Sequence, residues 1–155
     1  MTNHTIEAVN LSKRYGSFVA LDSLNLKIEG SKCVGFLGPN GAGKTTTLKI
    51  FTDLIRRSGG SALINGVDVH TEKKRALSSV AALVETPEIY PSLTPKEALM
   101  MIAEQRGVPS EIRKKKIEEA LEEVKMSEWG DKRVGKFSKG MKQRVDVAST
   151  LLNDP

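Results

Sequence analysis

Apolar and polar residues alternate along the first part of the chain, in Ile6-Glu7-Ala8-Val9-Asn10-Leu11 and again in Leu21-Asp22-Ser23-Leu24-Asn25-Leu26-Lys27-Ile28. A period of two predicts strands with one buried face, joined here through the turn-like Tyr15-Gly16-Ser17. The unbroken apolar run Cys33–Leu37 predicts a short strand buried on both faces. Thr46–Phe51 opens an amphipathic helix, and Arg56-Arg57-Ser58-Gly59-Gly60 interrupts the chain after it. Ser61–Val69 then reads as a strand, an Asn65-Gly66 turn and a second short strand. A polar helix over 71–78 and another buried strand over Val80–Val84 follow.

From Thr94 the period becomes helical. Thr94-Pro95-Lys96-Glu97 is a capping box with proline at the first helical position, and Leu99, Met100, Ile102 and Ala103 follow on one stripe. Met100-Met101 reads as core filler. Ser110 is placed to cap a second helix whose Ile112, Ile117, Ala120, Leu121 and Val124 recur at three- and four-residue spacing. Gly130 and Gly135 punctuate a loop, and a third helix spans Lys139 to Leu152.

Composition bounds the class. With 155 residues, 39% of them hydrophobic, the chain can build one domain with a real core. No apolar run approaches the ~18 residues of a membrane span, and the polar start Met1-Thr2-Asn3-His4 is not that of a signal peptide. The single Cys33 falls in an expected core strand and reads as a buried thiol. One cysteine and two separated histidines support neither a disulfide nor a zinc site. These features point to a cytosolic protein.

The net charge of +5 has two main sources. Arg113-Lys114-Lys115-Lys116 is followed by Glu118, Glu119, Glu122 and Glu123, which gives helical pairs such as Lys115–Glu119 and a solvated face. The second source is Lys132, Arg133, Lys136, Lys139, Lys142 and Arg144. With aromatics at only 5% there is no stacking platform beside this patch, so direct nucleic-acid binding is not expected.

The sharpest chemical signal is Gly38-Pro39-Asn40-Gly41-Ala42-Gly43-Lys44-Thr45-Thr46, which matches G-x-x-x-x-G-K-[ST] between an expected strand and an expected helix. Such a loop turns successive backbone N–H groups and a helix N-terminus toward an anion. Gly38, Gly41 and Gly43 allow the amides of Asn40 to Thr45 to wrap a phosphate. Lys44 brings a mobile charge to the β- and γ-phosphates, and Thr45 offers a hydroxyl to Mg²⁺. Binding of a nucleoside triphosphate is the expectation. No Asn-Lys-x-Asp guanine-reading motif is present, which favours ATP.

In this order the features resemble the ATP-binding cassette of ABC transporters, from about Ile6 to the last residue. Lys13-Arg14-Tyr15-Gly16 with Val19-Ala20-Leu21 is similar to the family's aromatic loop, which implies that Tyr15 stacks on adenine and that Val19 lies beside it. Phe137-Ser138-Lys139-Gly140-Met141-Lys142-Gln143-Arg144 is similar to the signature, usually L-S-G-G-Q, with Lys139 and Met141 as departures. By resemblance, Ser138, Lys139 and Gly140 hold the ATP of an opposing subunit. The segment 83–94 aligns with the Q-loop, and Glu85 stands where glutamine usually contacts Mg²⁺ and the attacking water. This segment is most similar to exporters of antibiotics and other hydrophobic cargo.

The resemblance implies an α/β, P-loop NTPase fold of ABC type, with an N-terminal antiparallel β part, an incomplete parallel core sheet and a helical subdomain. Residues 1–86 would form the nucleotide-binding core and 87–155 the helical part. The family's Asp-Glu strand end and later histidine find no match, and His4 and His70 lie too early. The chain therefore resembles a cassette cut short, able to bind nucleotide but lacking the hydrolytic residues. Cys33–Leu37 and Val80–Val84 would then be unpaired apolar edges, and poor stability or association with another copy is expected. The implied partners are a second cassette and a separate transmembrane permease, on the cytoplasmic face of the plasma membrane. The alternatives are a soluble ABC-type ATPase and a non-hydrolysing nucleotide-binding fragment. The interval from Lys44 to Ser138 is too short for the coiled-coil insertion of chromosome-type members.

Overall fold

The computed structural model describes residues 4–84 and 89–153. It divides into two compact units, one through Val80 and one from Ala81.

The first unit is built on an antiparallel sheet in the order β2-β1-β3-β4, from β1 (Thr5–Tyr15), β2 (Phe18–Glu29), β3 (Gly59–Ile64) and β4 (Val67–Asp68). The alternating segments form the long β1–β2 hairpin, which turns at Gly16-Ser17 and pairs Tyr15 with Phe18 across its tip. The alternation is interrupted where β1 shifts register between Ala8 and Leu11. Asn10 takes φ 48° there, a left-handed conformation that asparagine tolerates. Its N–H donates to Asn25 Oδ1 at 2.9 Å, and Asn25 Nδ2 returns a bond to Asn10 Oδ1 at 3.0 Å. The Asn65-Gly66 turn forms as expected, with φ of 51° and 75°. Helix α1 (Lys44–Phe51) buries Ile50 and Phe51 in a core shared with Ala8, Leu11, Leu21 and Ala62.

Two expected strands do not form. Cys33–Leu37 and Val80–Val84 pair with no strand among the described residues, and the described sheet is wholly antiparallel. A continuous apolar run becomes a doubly buried strand only when neighbours supply a ladder and both faces. Without them Leu37 is 91% exposed, Val34 and Phe36 are also exposed, and Cys33 is an exposed thiol rather than a buried one. Residues 80–84 are half-buried except for the exposed Ala82. The helix expected over 71–78 is the single turn α2 (Lys73–Ala76).

The second unit packs α3 (Pro95–Gln105), α4 (Ser110–Glu123) and α5 (Lys139–Leu151) around Leu99, Ile117, Leu121, Met126, Val134, Val145 and Leu152. The capping box at α3 is complete. Glu97 N–H donates to Thr94 Oγ1 at 3.3 Å, and Thr94 N–H donates to Glu97 Oε2 at 2.8 Å. Hydrogen bonding to its carboxylate, first from the Thr94 backbone N–H and then from the Thr94 side chain, holds Glu97 below the usual range. Thr94→Ala is expected to destabilise this unit by about 1 kcal/mol, read as a lower urea midpoint at unchanged m-value.

Ser110 does not cap α4. Pro109 holds that position, and the Ser110 hydroxyl donates instead to Glu111 Oε1 at 2.7 Å. Lys115 and Glu119 form the expected exposed pair at 3.6 Å. Met100 is half-buried, but Met101 is 46% exposed and is not core filler.

Candidate nucleotide-binding site

The loop ahead of α1 is ordered by its own backbone. Gly41 and Gly43 take φ of 84° and 81°, which glycine adopts without a Cβ penalty. Gly43 is the N-cap of α1, and its carbonyl accepts from Thr47 N–H at 2.8 Å and from Thr47 Oγ1 at 2.9 Å. Gly43 also allows a close approach. A Cβ there would stand 2.5 Å from Leu21 Cδ2 and 2.7 Å from the Ala20 carbonyl oxygen. The first turn of α1 is thereby seated directly against β2.

Lys44 folds across the loop, its Nζ donating to the carbonyls of Gly38 at 2.6 Å and Pro39 at 2.7 Å. The ammonium therefore lies inside the ring of backbone that a phosphate would enter. It is positioned by carbonyls, with no carboxylate among the described residues holding it in a salt bridge. Thr45 is exposed at the same place.

The hairpin tip meets this loop. Tyr15, Phe18, Ala20 and residues 40–46 line one cavity of about 330 Å³. No acidic side chain is among them, and the single charged one is Lys44. A cavity with one cation, a glycine-rich wall and two aromatic rings fits a triphosphate carrying a base. Lys13 Nζ sits 4.6 Å from the centroid of the Tyr15 ring and donates to the Arg56 carbonyl at 2.8 Å. The ammonium lies over one face of the ring.

Of the residues expected at the base, the structure brings Tyr15 to the loop, but Val19 does not line the cavity. Successive side chains of β2 point to opposite faces, so Phe18 and Ala20 share the side that Val19 does not. Phe18 is the cavity residue that the sequence did not single out, its one signal being the two-residue turn that places it opposite Tyr15; Lys13 belongs to the aromatic-loop motif and does not line the cavity.

At the far end of α1 a charged cluster ties down the chain after β4. Asp53 Oδ1 lies 3.0 Å from His70 Nδ1, and Asp53 Oδ2 lies 3.1 Å from Lys73. Asp68 pairs with Arg57 at 3.0 Å and accepts from the His70 and Thr71 amides at 2.9 and 3.0 Å. Burial pushes both carboxyls up. Bonds from His70 and Lys73 to Asp53, and from the Thr71 and His70 amides and Arg57 to Asp68, outweigh it and hold both below the ordinary range. His70 thus has a structural partner outside the cavity.

Ser138, Lys139 and Gly140 belong to the second unit, where all three are exposed. Ser138 is the N-cap of α5 and accepts from Met141 N–H at 3.3 Å. Gly140 faces open space, and no acidic residue lies in the first turn. Such a helix start is open to an anion. Glu85 lies outside the described residues. Among the described residues no group of three His, Cys, Asp or Glu side chains could hold a metal, and no helix is long and apolar enough to cross a membrane.

The family model described as ABC transporter matches residues 21–155. Bacitracin transport ATP-binding protein BcrA of Bacillus licheniformis is 40% identical over 150 residues, covering 97% of this chain and 48% of that protein. Nod factor export ATP-binding protein I of Burkholderia orbicola (strain AU 1054) is 33% identical over 150 residues, covering 97% and 49%. The chain thus spans about half the length of the curated relatives it matches. A solved ATP binding subunit of an ABC transporter aligns with a TM-score of 0.81 at 29% identity, covering 97% of this chain and 62% of that one. A nucleotide-free ATP-binding cassette from an ABC transporter gives 0.83 at 22% identity, covering 98% and 66%, a likeness of fold alone. The fold is the α/β P-loop fold of these cassettes.

Proposed function

We propose, for a chain that belongs to the ABC transporter family, that it is the ATP-binding part of an exporter subunit acting with a separate transmembrane partner. The observation that carries this reading is the single cavity lined by both Tyr15 and residues 40–46. In it the phosphates lie on the amides of Asn40 to Thr45, with Lys44 turned from the Gly38 and Pro39 carbonyls toward the β- and γ-oxygens. Adenine lies against Tyr15. Mg²⁺ fits the exposed Thr45 hydroxyl, because this ion takes few protein ligands and completes its shell with phosphate and water. When bound, it neutralises the charge that builds on the phosphates during transfer.

Ser138, Lys139 and Gly140 serve the ATP of a second copy, whose γ-phosphate they meet with the open N-terminus of α5. Glu85 takes the Q-loop role, as an acceptor without the amide donor of glutamine. Hydrolysis is assigned to the whole protein, on the cytoplasmic face of the plasma membrane. The relative named for bacitracin transport supports a transport role, and the one named for Nod factor export favours the outward direction.

Tyr15→Ala tests the base assignment. Aromatic stacking contributes about 1–3 kcal/mol per base, so ATP should bind roughly tenfold more weakly. Inorganic triphosphate, which has no base, should bind as before. Equal losses for the two ligands would refute the stacking role.

A further inference from the structure

We propose that Phe18 gives the site a preference for purine over pyrimidine triphosphates, by extending the stacking surface that begins at Tyr15. The proposal rests on the reading of this cavity as a triphosphate site with its base on Tyr15. The resemblance that places Tyr15 and Val19 beside the base assigns nothing to Phe18.

The hairpin presents the two rings together. Tyr15 and Phe18 are direct partners across the turn Gly16-Ser17. Side chains at opposite positions of a hairpin leave the same face, with Cβ atoms about 4.5–5.5 Å apart. Both line the cavity with residues 40–46, Phe18 being 64% and Tyr15 49% exposed. Neither ring belongs to the core of the first unit or packs against it. They do not pack on each other either, since among the described residues the one ring–ring contact is that of Trp129 with Phe137. The apolar area of Phe18 takes no part in the core, and it faces the place where a base would lie.

The base end of the cavity selects by area because it has little else to select with. Its side chains are Tyr15, Phe18 and Ala20, and the Tyr15 hydroxyl is the one polar group among them. Asn40, Lys44, Thr45 and Thr46 belong to the phosphate loop. Stacking accepts any base, because every base has a π-face, and its strength follows the apolar area covered. A pyrimidine has one ring, which Tyr15 alone covers. A purine carries a second fused ring, which reaches the neighbouring Phe18. The contact at Phe18 therefore strengthens ATP binding and leaves UTP binding nearly unchanged.

Calorimetric titration of the full chain with MgATP, MgUTP and inorganic triphosphate tests this. The unmodified chain is expected to bind ATP about tenfold more tightly than UTP, the effect of one further base–aromatic contact. Phe18→Ala should bring that ratio below about threefold while UTP and triphosphate bind as before. Phe18→Tyr, which keeps a ring in place, should retain the ratio of the unmodified chain. Equal binding of ATP and UTP by the unmodified chain, an unchanged ratio in Phe18→Ala, or a ratio lost in Phe18→Tyr would overturn the proposal and leave the ATP reading standing. Equal losses for all three ligands in Phe18→Ala would also overturn it, by showing that Phe18 only shapes the loop. If no ligand binds the unmodified chain, the triphosphate reading fails and this proposal with it.

Discussion

Lys44→Ala is expected to weaken both ATP and inorganic triphosphate roughly 100-fold, the loss of one or two charge-assisted hydrogen bonds of about 1.5–3 kcal/mol each. Lys44 is the only charged side chain lining the cavity, so no other residue of its wall can replace it. The fold should survive. The two carbonyls that Lys44 now contacts, Gly38 and Pro39, lie in an exposed loop where water can take its place. The signature of this variant is therefore parallel loss for both ligands with an unchanged melt, in contrast to the ATP-selective loss for Tyr15→Ala. Full ATP affinity in Lys44→Ala would remove Lys44 from the phosphate site.

Gly43→Ala is expected to damage both stability and binding. A methyl group there meets Leu21 Cδ2 and the Ala20 carbonyl inside van der Waals contact, at a φ of 81° that disfavours any Cβ. Left-handed backbone costs an L-residue about 1–2 kcal/mol, and overpacking adds about 1–3 kcal/mol. The start of α1 must then move off β2, which parts the Tyr15 and Ala20 wall from residues 40–46. Gly41→Ala is the control. It shares the positive φ of 84° but has nothing within 4 Å of the added methyl, so only the backbone term applies. Urea unfolding of the two variants should separate them by about 1–3 kcal/mol, with ATP binding lost in Gly43→Ala. Equal effects would mean that the contact with the hairpin is unimportant.

Features set by local chemistry were legible in the sequence. Asn65-Gly66 makes its turn because both residues accept positive φ. Thr94 and Glu97 cap α3 through their own side chains, and Ser138 begins α5 by the same logic. The phosphate loop was legible for a similar reason, since its glycines and Lys44 act within nine residues. Features that depend on partners distant in sequence were less so. Cys33–Leu37 has the composition of a buried strand, but the ladder that would bury it is absent among the described residues. Val19 was matched by resemblance, whereas the strand period puts Phe18 and Ala20 on the cavity side. Asp146 gave no warning either. It sits beside Val145 on a helix whose Ala148 and Ser149 are also buried, and only the three-dimensional packing shows that its Oδ2 has no partner among the described residues.

The central claim is that one cavity holds the phosphates on residues 38–46 and the base on Tyr15. Calorimetric titration with MgATP and inorganic triphosphate, each alone and then in competition, tests it most directly. One site per chain is expected, with triphosphate displacing ATP fully and ATP binding more tightly by the stacking contribution. Simultaneous binding of both ligands, or the absence of binding by either, would contradict it.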